Sequence, residues 1–149
     1  MGMRKFEEKL ERMKKEFEQI DKDHHIPWTY RDSDGFEHKG DFAGSTVDGK
    51  PHGLGRFTCE EFWINAEWKE GEIEGIAIRE FAGSKDCEEC EMRGGKYEGK
   101  YMLTWRGGNR EEREYENGKM HGRQRFVTRD DSVEVETFYR EGKVVRRIN

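Results

Sequence analysis

Asp48-Gly49-Lys50-Pro51-His52-Gly53-Leu54-Gly55-Arg56-Phe57 holds two glycines four residues apart ahead of an alternating run, and the same frame returns along the chain. Its first glycine recurs at Gly71, Gly95, Gly118 and Gly142, at intervals of 22, 24, 23 and 24 residues. The second recurs at Gly75, Gly99 and Gly122, with Arg146 in its place in the last unit. Three residues before each first glycine stand Thr46, Trp68, Met92, Tyr115 and Tyr139, a large side chain in four of five cases. Self-similarity at such a period marks a repeat architecture, here about five units of about 23 residues.

Each unit reads as a β-hairpin. Val135-Glu136-Thr137-Phe138-Tyr139 and Ile64-Asn65-Ala66-Glu67-Trp68 alternate with period two, and Arg-Glu-Gly-Lys or Lys-Glu-Gly-Glu follows as a turn. Gly122-Arg123-Gln124-Arg125-Phe126 is a return strand, and polar tips such as Gly107-Gly108-Asn109 or Asp130-Asp131-Ser132 lead into the next unit. Turn glycines supply positive φ, and glycines within strands leave room for a neighbouring ring. The expected fold is mainly β: an elongated, twisted, single antiparallel sheet.

These residues resemble the MORN repeats (membrane occupation and recognition nexus), whose usual unit is Tyr-x-Gly-x-aromatic-x-x-Gly-Lys-x-His-Gly-x-Gly. Residues 48–57 and Glu116-Asn117-Gly118-Lys119-Met120-His121-Gly122 carry the likeness most closely, and Asp34 to Phe42 resembles the link into a unit. It covers residues 28–149 and is divergent: Ile64, Glu88, Glu111 and Val135 stand where the family has its strand-start Tyr. Against that frame the first unit is expected to hold about four extra residues within Ala43-Gly44-Ser45-Thr46-Val47. The resemblance implies a sheet of MORN-type hairpins and a role in multiprotein assemblies or at membranes.

Residues 1–25 read differently. Met3, Phe6, Leu10, Met13, Phe17 and Ile20 form a heptad stripe among charged residues, which predicts an amphipathic helix ending near Asp21 to His25, before Pro27. So short a helix needs a surface for its stripe: its own domain, a partner or a second copy. The repeat array is placed at 26–149.

Leu, Ile, Val and Phe together number only 25 of 149 residues, too few for a two-sheet sandwich or a doubly wound domain, while 18 aromatic residues and a net charge of -5 oppose disorder. No apolar run exceeds three residues, so neither a membrane span nor a signal-peptide core is expected. Three cysteines agree with a reducing compartment, cytoplasmic or within a large assembly. An acidic middle segment in a net-negative chain is a poor match for nucleic acid. The basic stretch Arg106, Arg110, Arg113, Lys119, Arg123, Arg125 and Arg129 is interrupted by four glutamates, which makes lipid a weak partner.

No catalytic constellation, phosphate loop or cofactor motif is present, so no enzyme activity, cofactor or metal is expected. Cys87-Glu88-Glu89-Cys90 is a lone CxxC whose glutamates oppose a thiolate, and a zinc site would need Cys59 or His24 and His25 to arrive by folding. His52 and His121 share one repeat position and are expected to satisfy backbone groups at a turn. The ring ladder of Phe42, Phe57, Trp68, Met92, Leu103, Tyr115, Phe126 and Tyr139 should line one sheet face as a groove. The functional expectation is a non-catalytic scaffold or adaptor that takes a helix or extended segment of a partner protein on that groove. A lipid-binding module, a regulatory subunit and self-association are the alternatives. The helix residues Phe6, Leu10, Met13, Phe17 and Ile20 form a second interface, able to occupy the groove in cis or in another copy.

Overall fold

The computed structural model describes residues 2–20 and 22–148, with the backbone alone at Gly2 and Met3. The Met3 side chain and Asp21, both counted in the sequence reading, lie outside the described residues. One helix, α1 (Gly2–Phe17), precedes β1 (His25–Arg31), β2 (Glu37–Val47), β3 (Lys50–Thr58), β4 (Phe62–Lys69), β5 (Glu72–Phe81) and β6 (Cys87–Arg93). The chain continues through β7 (Lys96–Thr104), β8 (Arg110–Glu116), β9 (Lys119–Met120), β10 (Gly122–Val127), β11 (Val133–Arg140) and β12 (Lys143–Ile148). All strands join one open antiparallel sheet in chain order, the two-residue β9 pairing only with β8.

The five repeat turns share one geometry. Asp48-Gly49, Glu70-Gly71, Gly94-Gly95, Asn117-Gly118 and Glu141-Gly142 all have positive φ at both central residues, between 50° and 87°. That is the type I′ turn, whose twist matches the strands it joins. Successive turns are tied together: the N–H groups of Gly71, Gly95, Gly118 and Gly142 donate to the carbonyls of Pro51, Ile73, Tyr97 and Met120 at 2.8–3.1 Å. A second tie sits one position further on. Nδ1 of His52 accepts the Glu70 N–H, and Nδ1 of His121 accepts that of Glu141, as their shared repeat position suggests. In the middle units Glu74 and Glu98 accept the N–H groups of Gly94 and Asn117 instead.

Four extra residues in the first unit are not found. Phe42 pairs with Phe57 and Gly44 with Gly55, a bulge follows, and Thr46 pairs with Pro51. In the next unit Ala66 pairs with Ala77, a bulge follows, and Trp68 pairs with Ile73. The two hairpins match residue for residue, and Phe42 itself occupies the strand-start position. The second glycines serve these bulges rather than a ring. A Cβ at Gly75 would lie 2.6 Å from Oε1 of Glu67, the bulge residue, whose carboxylate accepts the Ile76 N–H at 2.9 Å. Rings are seated by other glycines: a Cβ at Gly55 would lie 2.1 Å from Cζ of Phe42.

Register places Ile26, Phe42, Phe57, Ile64, Arg79, Glu88, Leu103, Glu111, Phe126 and Val135 in one row across ten strands, on one face. That face is concave, because Tyr30 of β1 reaches Trp68 of β4, with ring centroids 5.9 Å apart across two intervening strands. The curl lets one sheet bury its own rings and build a core from few aliphatic residues.

The helix lies on the other face. Phe6, Leu10, Met13 and Phe17 are buried against Ile76 and Ile78, with Ile20, Leu54, Trp63 and Cys87 at the margin. Lys9 and Lys14 pair with Glu91 and Glu89 on the same convex side. The expectation that α1 could fill the ring groove in cis is therefore corrected: Ile76 and Ile78 alternate with Ala77 and Arg79 and point away from it. Phe6, Leu10, Met13 and Phe17 of the stripe are thus covered within the chain. The helix also stops earlier than its pattern. The N–H groups of Glu18, Gln19 and Ile20 bond three residues back, to Lys15, Glu16 and Phe17, a tightened last turn that carries the chain toward β1.

Candidate functional site

The ring ladder shares one face, as the spacing implies, but the face is divided. Phe42 and Phe57 are 0% exposed, Trp68 3% and Met92 6%, enclosed by Tyr30, Phe62, Ile64 and Ile73. These four were expected to contact a partner; they are core instead: Tyr30 of β1 curls over Phe57, Phe62 and Trp68, and Phe42 and Met92 pack in the same buried cluster. The Trp68 indole N–H donates to the Gly55 carbonyl at 3.0 Å, a bond made wholly inside the sheet. Leu103, Tyr115, Phe126 and Tyr139 are only half-buried. The open part of the face is the C-terminal part.

Between the two parts lies a polar hub. Arg79 and Glu88, neighbours in the central row, form an ion pair at 2.9 Å with side chains 15% and 7% exposed. Glu88 also accepts the hydroxyls of Tyr97 at 2.8 Å and Tyr101 at 2.6 Å. Burial and then the Glu88 charge push both phenols far above the usual tyrosine value. Arg113 stacks over the Tyr101 ring, donates to the Tyr115 hydroxyl at 2.8 Å and is ion-paired with Glu111. A buried carboxylate on which this many donors converge is fixed in place.

Beside the hub opens a cleft of about 510 Å³. One wall is the β1–β2 turn, Asp32 to Asp34, and the other carries Arg79, Lys96, Tyr97, Arg113, Tyr115 and Lys119. Lys96 and Lys119 make no ion pair among the described residues. The opposite turn is rigid: the Asp32 carboxylate accepts the N–H groups of Asp34 and Phe36 and binds Nε2 of His38 at 2.8 Å. Burial would raise the Asp32 carboxyl, but the His38 and backbone hydrogen bonds outweigh it and hold the group below its ordinary value.

Other sequence candidates resolve simply. Residues three apart on a strand face opposite ways, so Cys87 turns toward α1 while Cys90 is buried among the rings. Burial raises both thiols, Cys87 to about 11, and no redox dithiol can form across the sheet. His25 pairs with Asp41 at 2.5 Å, a hydrogen bond that raises its pKa, and His24 lies 3.5 Å from the Thr46 hydroxyl. The basic stretch is split across both faces and largely ion-paired: Arg110 with Glu112 and Asp131, Arg123 with Glu136, and Arg125 with both Glu112 and Glu136.

Sequence reasoning missed Arg79, Glu88, Tyr97 and Tyr101. The available signal was Glu88 in the strand-start position, opposite Arg79 once adjacent units are paired. Asp32, His38, Cys59 and Glu61 carry no motif spacing; they meet through the β1–β2 hairpin and the register of β2 against β3. Neither the protein-family models nor the curated protein sequences give a match to this chain.

Proposed function

We propose that this protein is a non-catalytic adaptor of MORN-repeat type that receives a segment of a partner protein on the open part of its concave face. The observation that carries the reading is the cleft beside the Arg79–Glu88 hub, which brings two half-buried tyrosines together with unpaired lysines. Tyrosine and arginine on a rigid wall are the side chains that anchor protein interfaces, because they bury a large area at low entropic cost. Lys96 and Lys119 favour a segment that carries carboxylates. Leu103, Phe126 and Tyr139 continue the surface along the sheet.

The test compares wild type with the Lys96→Glu, Lys119→Glu pair and with Tyr115→Ala as baits in the native extract, read by quantitative mass spectrometry. Circular dichroism checks that each bait keeps its sheet. Loss of the same few stoichiometric partners from both variants, with retention by a Lys14→Glu control on the convex face, supports the adaptor reading. Unchanged partners in both remove the cleft from it. Recovery of anionic lipid, or of an enzyme whose activity the wild-type bait alone changes, would favour the membrane or regulatory-subunit alternatives.

A further inference from the structure

We propose that His38, Cys59 and Glu61 form a binding site for a divalent transition-metal ion of the zinc class. The three side chains come from β2 and from the β3–β4 turn, and one ligand atom of each lies within 4.8 Å of the others. Nδ1 of His38 is 3.4 Å from Oε2 of Glu61, and Sγ of Cys59 is 3.8 Å from the same oxygen. Tetrahedral zinc with ordinary bond lengths sets its nitrogen, sulfur and oxygen ligands about 3.3–3.6 Å apart, so closure around an ion needs small side-chain movements only. Imidazole, thiolate and carboxylate together suit zinc rather than magnesium or calcium, which take oxygen alone.

A second observation lies outside the three ligands. Nε2 of His38 is 2.8 Å from the Asp32 carboxylate, and the tautomer that donates to it turns the Nδ1 lone pair toward Glu61 and Cys59. A carboxylate that orients an imidazole in this way is the usual outer partner of a metal-bound histidine. The ring is further fixed by Phe62, 4.9 Å away edge-on, and Tyr30 stacks on it at 6.1 Å. The turn is set by the Cys59 N–H bonding the Phe62 carbonyl at 3.0 Å. Glu61 remains open to solvent, which gives the ion an entry path and leaves a fourth position to water. On binding, Cys59 releases its thiol proton to solvent and the ion takes its place. Because Asp32 also lines the cleft, the ion would tie β2, the β3–β4 turn and the β1–β2 turn into one unit.

The full chain, stripped with a chelator, is titrated with Co²⁺ and then Zn²⁺ under reducing conditions. The expected result is one equivalent of Co²⁺ with thiolate-to-cobalt charge-transfer absorption and tetrahedral visible bands, displaced by one equivalent of Zn²⁺. Cys59→Ser should abolish the charge-transfer band, and Glu61→Gln and Asp32→Asn should each weaken Zn²⁺ binding about tenfold or more. Both Cys59 and Glu61 lie in a turn, so these variants keep the sheet, checked by circular dichroism. Cys87→Ser, and a His24→Ala, His25→Ala pair, should change nothing. Absence of stoichiometric binding, a charge-transfer band that survives Cys59→Ser, or binding lost in the His24, His25 pair would each overturn the assignment.

Discussion

Nδ1 of His121 accepts the backbone N–H of Glu141 at 3.4 Å, so a side chain in one hairpin closes the type I′ turn of the next. His52, Glu74 and Glu98 do the same for Glu70, Gly94 and Asn117. Histidine and glutamate both serve at this position because the turn asks only for an acceptor of the right reach. Replacing His121 by Ala should lower stability by about 0.5–1.5 kcal/mol, toward the low end because the site is exposed. The urea midpoint should recover in His121→Glu, which restores the acceptor, and a midpoint unchanged in His121→Ala would show that the bond contributes nothing.

Gly55 exists to seat Phe42. A Cβ there would meet the buried ring at 2.1 Å, and neither the ring nor its surroundings can retreat. Gly55→Ala should cost about 2–3 kcal/mol, the upper part of the range for overpacking a close-packed core. Adding Phe42→Leu should recover part of that loss, giving a coupling energy in a double-mutant cycle of denaturation midpoints. Gly83, with open space around its Cβ position, is the control.

Glu88 is the acceptor on which Arg79, Tyr97 and Tyr101 converge. Glu88→Gln keeps the shape but leaves the Arg79 charge without its buried partner, and should destabilise by about 3 kcal/mol. Thermal unfolding followed by circular dichroism measures it. Replacing both members by apolar residues should cost less than replacing Glu88 alone.

Alkaline pH should unfold the protein through the same tyrosines. Burial and Glu88 raise the phenols of Tyr97 and Tyr101 in the folded chain, whereas an unfolded tyrosine ionises near about pH 10. Below that pH both states hold the proton and stability is unaffected. Above it the unfolded chain releases protons that the folded chain retains, so stability falls as pH rises. Tyrosinate absorbance of these two residues should therefore appear together with loss of the β-sheet signal. Phenolate formation by Tyr97 and Tyr101 in a chain still folded would contradict this.

The α1 stripe is buried against the protein's own sheet. Leu10→Ala should cost about 2–3 kcal/mol by opening a cavity over Ile76 and Ile78, while Arg4→Ala on the exposed side should be neutral. Sedimentation should show the same oligomeric state for both.

The sequence alone determined the repeat, the hairpin turns and the helical stripe, because each rests on local rules: positive φ at paired turn positions, alternation along a strand, and heptad spacing. It could not decide which face α1 covers, since the ring ladder and Ile76, Ile78 offer apolar surface on both sides of β5. It also could not tell which rings stay open. Phe42 and Phe57 carry the same periodic signal as Phe126 and Tyr139, yet only the first pair is roofed by β1. That difference comes from curvature, which accumulates over several strands and brings Tyr30 onto Trp68 across β2 and β3. The same curl sets Asp32 opposite Lys96 and Lys119, whereas His38 meets Cys59 and Glu61 through the register of the neighbouring strands β2 and β3. Such meetings depend on summed twist and on register rather than on spacing, so only the tertiary structure decided them.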